Sequence, residues 1–199
     1  MELDANGRVT TYLADTQVLF NGIPSPLLAA SSSQVHAVVP QAVSSDSTVD
    51  IVLTFKGTVS PRVTLPVKPA SPALFTLDGS GQGQSVALNH DGTLNTSAQP
   101  ADRGAVVSLF GSGFGDWSEP VPDGTIFGST PPALKSTVSV TIGGVAAKVL
   151  YTGGASGMVS GIVQIDAEIP AEVTPGDQVT VVVGVGGQSS PAKVTVSVD

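Results

Sequence analysis

Two segments of this chain each recur later in the sequence, and the two recurrences are in the same order. Residues 18–28, VLFNGIPSPLL, are similar to residues 140–150, VTIGGVAAKVL, at an offset of 122. Residues 34–40, QVHAVVP, are similar to residues 164–170, QIDAEIP, at an offset of 130. The eight additional residues fall in one place, around residues 153–157, as expected for a loop that differs in length between two copies. The repeat predicts tandem copies of one fold.

Short β-branched runs bounded by Gly, Pro, Ser or Asp indicate that both copies are built from strands. Residues 48–55 (TVDIVLTF) and 178–185 (QVTVVVGV) are such runs, and residues 193–198 alternate between polar and apolar side chains. The 23 glycines and 15 prolines interrupt the chain too often for long helices. We therefore predict an all-β protein with two tandem immunoglobulin-like β-sandwich modules.

The two predicted modules differ at their start. The second opens with residues 103–114, a strand that runs into a glycine-rich bend, whereas the first has only residues 8–13 as a replacement. We expect the modules at residues 1–70 and 101–199, with a hairpin-bearing connector at 71–100. A sandwich without its first strand exposes a sheet edge, so the connector is expected to pack across both modules.

Several turn and strand-end motifs carry a family resemblance. Residues 104–114, 140–144 and 169–170 resemble an IPT/TIG domain, an immunoglobulin-like fold. The chain as a whole resembles the C-terminal domain family of large secreted Acidobacteria (Solibacter-type) proteins, on residues 21–22, 34–40, 72–75, 87–95 and 104–113. The resemblance implies a secreted or cell-surface protein, and the family has no assigned activity to transfer.

Composition excludes several classes of partner and chemistry. Only 12% of the 199 residues are charged, and the net charge is −8. Eight scattered basic residues cannot neutralise a row of phosphates, so neither nucleic acid nor an anionic membrane surface is expected as a partner. The absence of cysteine excludes disulfides and thiolate chemistry. No apolar run approaches the ~20 residues of a membrane span, and the first residues do not resemble a signal peptide.

A serine hydrolase centre is not predicted, and no catalytic residue is assigned. No serine lies in a Gly-x-Ser-x-Gly elbow, and only two histidines are present to act as a base. His36 is expected on the solvated face of a strand, at the position of Asp166 in the other copy. His90 lies beside Asp91-Gly92, a strong hairpin signal.

That hairpin is the first candidate site. Asn89, Asp91 and Asn95, with Thr93, alternate along the turn and could supply oxygen ligands to calcium. Because the turn has a single carboxylate, a hairpin without metal is the favoured alternative.

The long loop at residues 111–136 is the second candidate site. It contains the only tryptophan, Trp117, with Phe114, Asp116, Glu119 and Asp123. An exposed indole beside carboxylates could stack on a sugar or hold calcium, and paired carboxylates could hydrolyse a glycoside. The alternative is that the aromatic side chains fill the open end of the sandwich.

Taken together, these patterns favour a non-catalytic structural, adhesion or spacer module of an exported bacterial protein. The alternatives are a carbohydrate-binding accessory module that uses the Trp117 loop, and a hydrolase that uses the carboxylates of that loop. A polysaccharide or another surface protein is the expected partner, and membrane insertion is not expected.

Overall fold

A computed structural model describes all residues 1–199, and it confirms that the protein is all-β. Its only helix is a single 3₁₀ turn at Gln41–Val43. The chain divides into two compact units. No helix has the length and apolar character needed to cross a membrane.

The first unit combines three stretches of chain: Met1–Pro69, Glu119–Pro131 and Ser156–Gly161. Its core contains the side chains of Leu13, Val18, Phe20, Leu27, Val43 and Val49. Its sheets have the orders β2-β1-β5-β6, with β7 also paired to β5, and β3-β4. The strands are β1 (Thr16–Phe20), β2 (Ile23–Pro24), β3 (Leu27–Ala30), β4 (Val35–Ala37), β5 (Thr48–Phe55), β6 (Thr58–Val59) and β7 (Val63–Pro66).

The second unit comprises Ala70–Ser118, Pro132–Ala155 and Ile162–Asp199. Its strands follow the order β10-β11-β14-β13-β12-β15-β17-β9, with β8 on β11 and β16 on β15, consistent with a β-sandwich. They are β8 (Ala73–Leu74), β9 (Gly83–Gln84), β10 (Ala87–Asn89), β11 (Val106–Ser112), β12 (Val138–Ile142), β13 (Val145–Gly154), β14 (Val163–Glu168), β15 (Gly176–Val185), β16 (Gln188–Ser189) and β17 (Val194–Val198).

The predicted repeat is present in the first hairpin of each copy. The β1–β2 turn uses Asn21-Gly22, with φ of 50° and 82°, and the β12–β13 turn uses Gly143-Gly144, with φ of 59° and 81°. Two successive residues with positive φ form the tight hairpin turn that matches the twist of its strands. Asn and Gly are the residues that adopt this conformation most readily, so the same turn forms from different sequences.

The pairings that follow the turn also correspond, register by register. Leu27 lies opposite Ala37 with a bulge immediately after it, and Val149 lies opposite Ala167 with a bulge at the same place. The two pairings therefore have the same register and an irregularity at the same position.

The last hairpin of each copy is closed by an equivalent serine. The amide of Leu53 donates to Ser60 Oγ at 3.0 Å, and the amide of Val183 donates to Ser190 Oγ at 3.1 Å. Ser60 and Ser190 differ by the offset of 130 seen in the sequence. The two units therefore share one strand-pairing scheme from β1 to β7 and from β12 to β17.

Residues 70–100 lie in the second unit in this structure. Strands β8 and β10 pair with β11, and β9 pairs in parallel with β17. The predicted hairpin turn is present, because Gly92 has φ of 82° and the Asn89 amide bonds to the Thr93 carbonyl at 2.8 Å.

Residues 8–13 do not replace the missing first strand. They form no strand and make only isolated contacts, among them the bond from the Leu27 amide to the Thr10 carbonyl at 2.8 Å. His36 is exposed on β4, as expected from the alternation of that segment.

Candidate functional site

The hairpin after β10 places two of the predicted calcium ligands in a buried amide network. Asn95 Nδ2 donates to Asn89 Oδ1 and to the Ser197 carbonyl, both at 2.9 Å. Asn95 Oδ1 accepts from the Ser197 amide at 2.8 Å and from Gln84 Nε2 at 2.9 Å. Asn95 is fully buried. Its side chain thus bonds to the backbone of β17 as a neighbouring strand would.

Asp91 bonds within its own turn. Its Oδ1 accepts from Thr93 Oγ1 at 2.7 Å and from the Thr93 amide at 3.0 Å. These two bonds, with a smaller contribution from the charge of His90, hold the pKa of Asp91 below its usual value. Thr93 Oγ1 also accepts from Asn89 Nδ2 at 3.1 Å, so Thr93 links Asp91 to the network of Asn89 and Asn95, and all three side chains are used in hydrogen bonds within the unit. Nowhere does the chain group three or more His, Asp or Glu side chains in a metal-binding arrangement.

The 111–136 loop is shared between the two units. Phe114, Asp116 and Trp117 lie in the second unit, and Glu119 and Asp123 lie in the first. Phe114 is 2% exposed and Trp117 is 9% exposed. Neither ring therefore presents the open face that stacking on a sugar needs, and their burial agrees with the alternative that they fill the end of the sandwich.

A short ribbon holds Trp117 in the second unit. Trp117 is bridged to Leu134, the Ser118 amide bonds to the Ala133 carbonyl at 2.9 Å, and the Lys135 amide bonds to the Asp116 carbonyl at 2.9 Å. These backbone contacts keep the indole against the core.

In the first unit, the other half of the loop is part of the packing. Asp123 Oδ1 accepts from the Gln41 amide at 2.9 Å, and the Gly124 carbonyl accepts from the Val9 amide at 2.8 Å. Phe127 is buried nearby in sequence, while Glu119 is exposed. Asp123 therefore has a structural partner, which the sequence could not indicate because Gln41 lies 82 residues away.

The sequence did not reveal why the segment Gly111-Ser112-Gly113, at the end of β11, contains two glycines. A Cβ atom at Gly111 would overlap the Ala73 carbonyl oxygen, and one at Gly113 would overlap the Ser71 carbonyl oxygen. Gly113 also has φ of 80°. The two glycines let residues 71–74 pack directly on the end of β11.

A second feature that the sequence did not reveal is an open groove of about 580 Å³ in the second unit. It is lined by neutral side chains, including Thr141, Pro175, Gln178, Thr180 and Val182. Since no lining residue is titratable, the groove has no group for acid–base chemistry.

Comparison of the chain with protein-family models, with curated proteins and with solved structures finds no match.

Proposed function

We propose that this chain is a non-catalytic structural module, a spacer or adhesion unit of an exported bacterial protein. The supporting observation is that polar and aromatic side chains of the candidate sites form hydrogen bonds within the protein or are buried in its core. The amides of Asn89 and Asn95 bond to each other, Asp123 binds a backbone amide, and Trp117 is buried. A binding or catalytic site would need some of these groups turned toward a ligand.

Other carboxylates follow the same pattern. Asp4 Oδ1 accepts from the amides of Asn6 at 2.8 Å and Arg8 at 3.0 Å. Asp78 Oδ1 accepts from the Ser80 amide at 3.0 Å and Ser80 Oγ at 2.8 Å. In both cases hydrogen bonds from the turn hold the pKa of the carboxyl below its usual value. Acidic residues here stabilise turns, as Asp commonly does between strands.

The repeated, short-looped strand framework suits a spacer. Antiparallel pairing joins neighbours such as β12 and β15 over five residue pairs, so opening the unit breaks several hydrogen bonds of one ladder. Stretching a single molecule through its ends should give discrete unfolding steps. The 69 residues before Ala70 should reach an extended length of at most about 230 to 250 Å in one of them. Continuous extension without a step would contradict a spacer that holds its length.

The hydrolase alternative is tested with ester and glycoside substrates. Turnover by the whole chain that is lost in Asp116→Ala or Glu119→Ala, and kept in the matched change Asp102→Ala, would replace our proposal with catalysis.

Export is tested separately: antibodies raised against the chain should label intact cells that produce the full protein.

The carbohydrate-binding alternative is tested by fluorescence, because Trp117 is the only tryptophan. We expect no change in its emission when soluble polysaccharides are added, since its ring is packed in the core. A saturable shift that is abolished by Asp116→Ala would instead support sugar binding at this loop.

A further inference from the structure

The two copies of the repeat differ in how one corresponding strand is paired and how deeply its side chains are buried. Ile165, Ala167 and Ile169 in the second unit are fully buried. They are covered because β11 pairs with β14, placing Leu109 opposite Ile165 and Val107 opposite Ala167. In the first unit the equivalent strand, β4, pairs with β3 alone. Val39, the counterpart of Ile169, is 58% exposed.

β4 pairs with a neighbouring strand on one side only. The Val38 amide bonds to the Pro26 carbonyl and the Gln34 carbonyl accepts from the Ser31 amide, both at 2.9 Å. In an antiparallel pair, the residues that bond to the neighbour alternate with residues whose N–H and C=O groups point away. The groups of Val35 and Ala37 therefore point away from β3, to the side that β11 occupies in the second unit.

The side chains of β7 in the first unit are also more exposed than those of its counterpart in the second unit, β17. Val63 and Leu65 on β7 are 54% and 46% exposed, whereas their counterparts Val194 and Val196 are buried. The edge of β7 is less suited to strand pairing. The Val67 amide bonds to the Ser47 carbonyl, so Pro66, the neighbour of Val67, lies at a position that points outward and has no N–H to donate. Of these two edges, the β4 edge is the one on which Val35 and Ala37 both have an outward N–H.

We infer that the β4 edge binds an extended segment of a partner polypeptide, antiparallel to β4 and with apolar side chains at alternate positions, as β11 binds β14. Main-chain hydrogen bonds would provide affinity, and the apolar side chains would cover the core side of β4. A second copy of this chain is not the expected occupant, because its own segment of this type, Val106–Ser112, is already paired with β14. This strand-accepting edge does not depend on the spacer role.

The chain itself provides the probe. A synthetic peptide of residues 103–113, RGAVVSLFGSG, with lysines added outside it for solubility, should pair with β4 with Val107 opposite Ala37 and Leu109 opposite Val35. Amide hydrogen exchange of the full chain is measured with and without about 1 mM peptide, a concentration that saturates a weak site. We expect about tenfold slower exchange at Val35 and Ala37, because their amides gain partners. The amides of Ile165 and Ala167 should not change.

Two peptides with single prolines give a matched control. The Phe75 amide bonds to the Phe110 carbonyl, so even-numbered residues of β11 bond away from β14. A peptide with Val107→Pro loses a donor that faces β4 and should not protect it. A peptide with Ser108→Pro loses an outward donor and should still protect it. Equal protection by both peptides would overturn the inference.

Variants of the chain complete the test. Val39→Glu places a charge on the exposed edge without disturbing the core and should abolish protection, and Ala37→Pro removes the outward donor and should do the same. The inference is wrong if no peptide slows exchange at β4. It is also wrong if the chain self-associates in sedimentation and protects β4 without peptide, because a second copy is then the occupant.

Discussion

Asn95→Asp is the sharpest test of the buried amide network. The two side chains have the same shape, so no cavity forms. The carboxyl group keeps the two hydrogen bonds that Oδ1 accepts from Ser197 and Gln84. It loses the two that Nδ2 donates to Asn89 Oδ1 and the Ser197 carbonyl, and it turns an oxygen toward both of those acceptors.

The size of the effect depends on pH. When the carboxyl is protonated, its O–H replaces one of the two lost donors, and one buried acceptor remains unpaired at a cost of about 1–3 kcal/mol. When it is ionised, both acceptors face a buried charge, so the folded-state pKa must rise above the unfolded value of about 3.9. Keeping the proton at pH 7 costs at most about 4 kcal/mol, which is about 3 units at 1.36 kcal/mol each.

The sign follows from that raised pKa. Stability of the variant relative to the parent is greatest below pH ~3.9 and falls as the pH rises toward the folded-state pKa. We therefore expect a loss of about 1–3 kcal/mol near pH 4 and a larger loss, up to about 7 kcal/mol, at pH 7. Urea unfolding of variant and parent at both pH values measures the difference, since the parent corrects for every other titrating group.

The control is Gln178→Glu, the same chemical change on an exposed side chain of the same unit. It should change stability by less than about 0.5 kcal/mol at either pH. If Asn95→Asp costs less than about 1 kcal/mol at pH 7, or if its cost is independent of pH, the amide of Asn95 is not the buried donor that the structure shows.

Four further expectations follow from the same structure. Gly113→Ala should lower the free energy of unfolding by about 2 kcal/mol or more, because the alanine would have to adopt φ of 80° and its Cβ would overlap the Ser71 carbonyl oxygen. The control Gly128→Ala, whose Cβ would have no close neighbour, should be neutral in the same urea experiment. Ser85→Ala should raise stability by about 1 kcal/mol, because the buried Ser85 hydroxyl has no hydrogen-bond partner, and a loss instead would show that the hydroxyl is bonded. Asp78 has a lowered pKa, so its contribution is present above its unfolded pKa and is lost as the pH falls through the lower folded value; Asp78→Asn should flatten that acid limb of the stability curve. Calcium at the β10 hairpin would raise stability by about 2.7 kcal/mol at 100 times its Kd, so identical melting curves with calcium and with EDTA would remove the metal hypothesis.

Local patterns were readable from sequence where neighbouring residues decide the conformation. Asp91-Gly92 predicted a hairpin turn because few residues other than glycine adopt positive φ, and Gly92 has φ of 82°. The alternation in residues 193–198 predicted a strand, because strand side chains point to opposite faces with a period of two, and Val194, Val196 and Val198 are buried on β17. These are properties of a few consecutive residues.

The candidate sites could not be predicted in the same way. The sequence left open whether Trp117 is accessible or fills the end of the sandwich; its ring is packed in the second unit, and Asp123 of the same loop bonds to Gln41 in the first. The sequence also left open whether Asn95 binds calcium or belongs to a metal-free hairpin; its amide bonds to Ser197, 102 residues away. In each case the partner is distant in the chain, and no local pattern encodes it.

The amino-acid sequence by itself thus determined the strand content and the turns, because both follow from short-range sterics and periodic burial. The tertiary structure decided which polar groups are used internally and which edge is left open. β4 and β14 have nearly the same pattern, yet Ala37 lacks a neighbouring strand on the side where Ala167 pairs with Val107. That difference depends on where β11 pairs, which is a long-range contact and not a property of either strand.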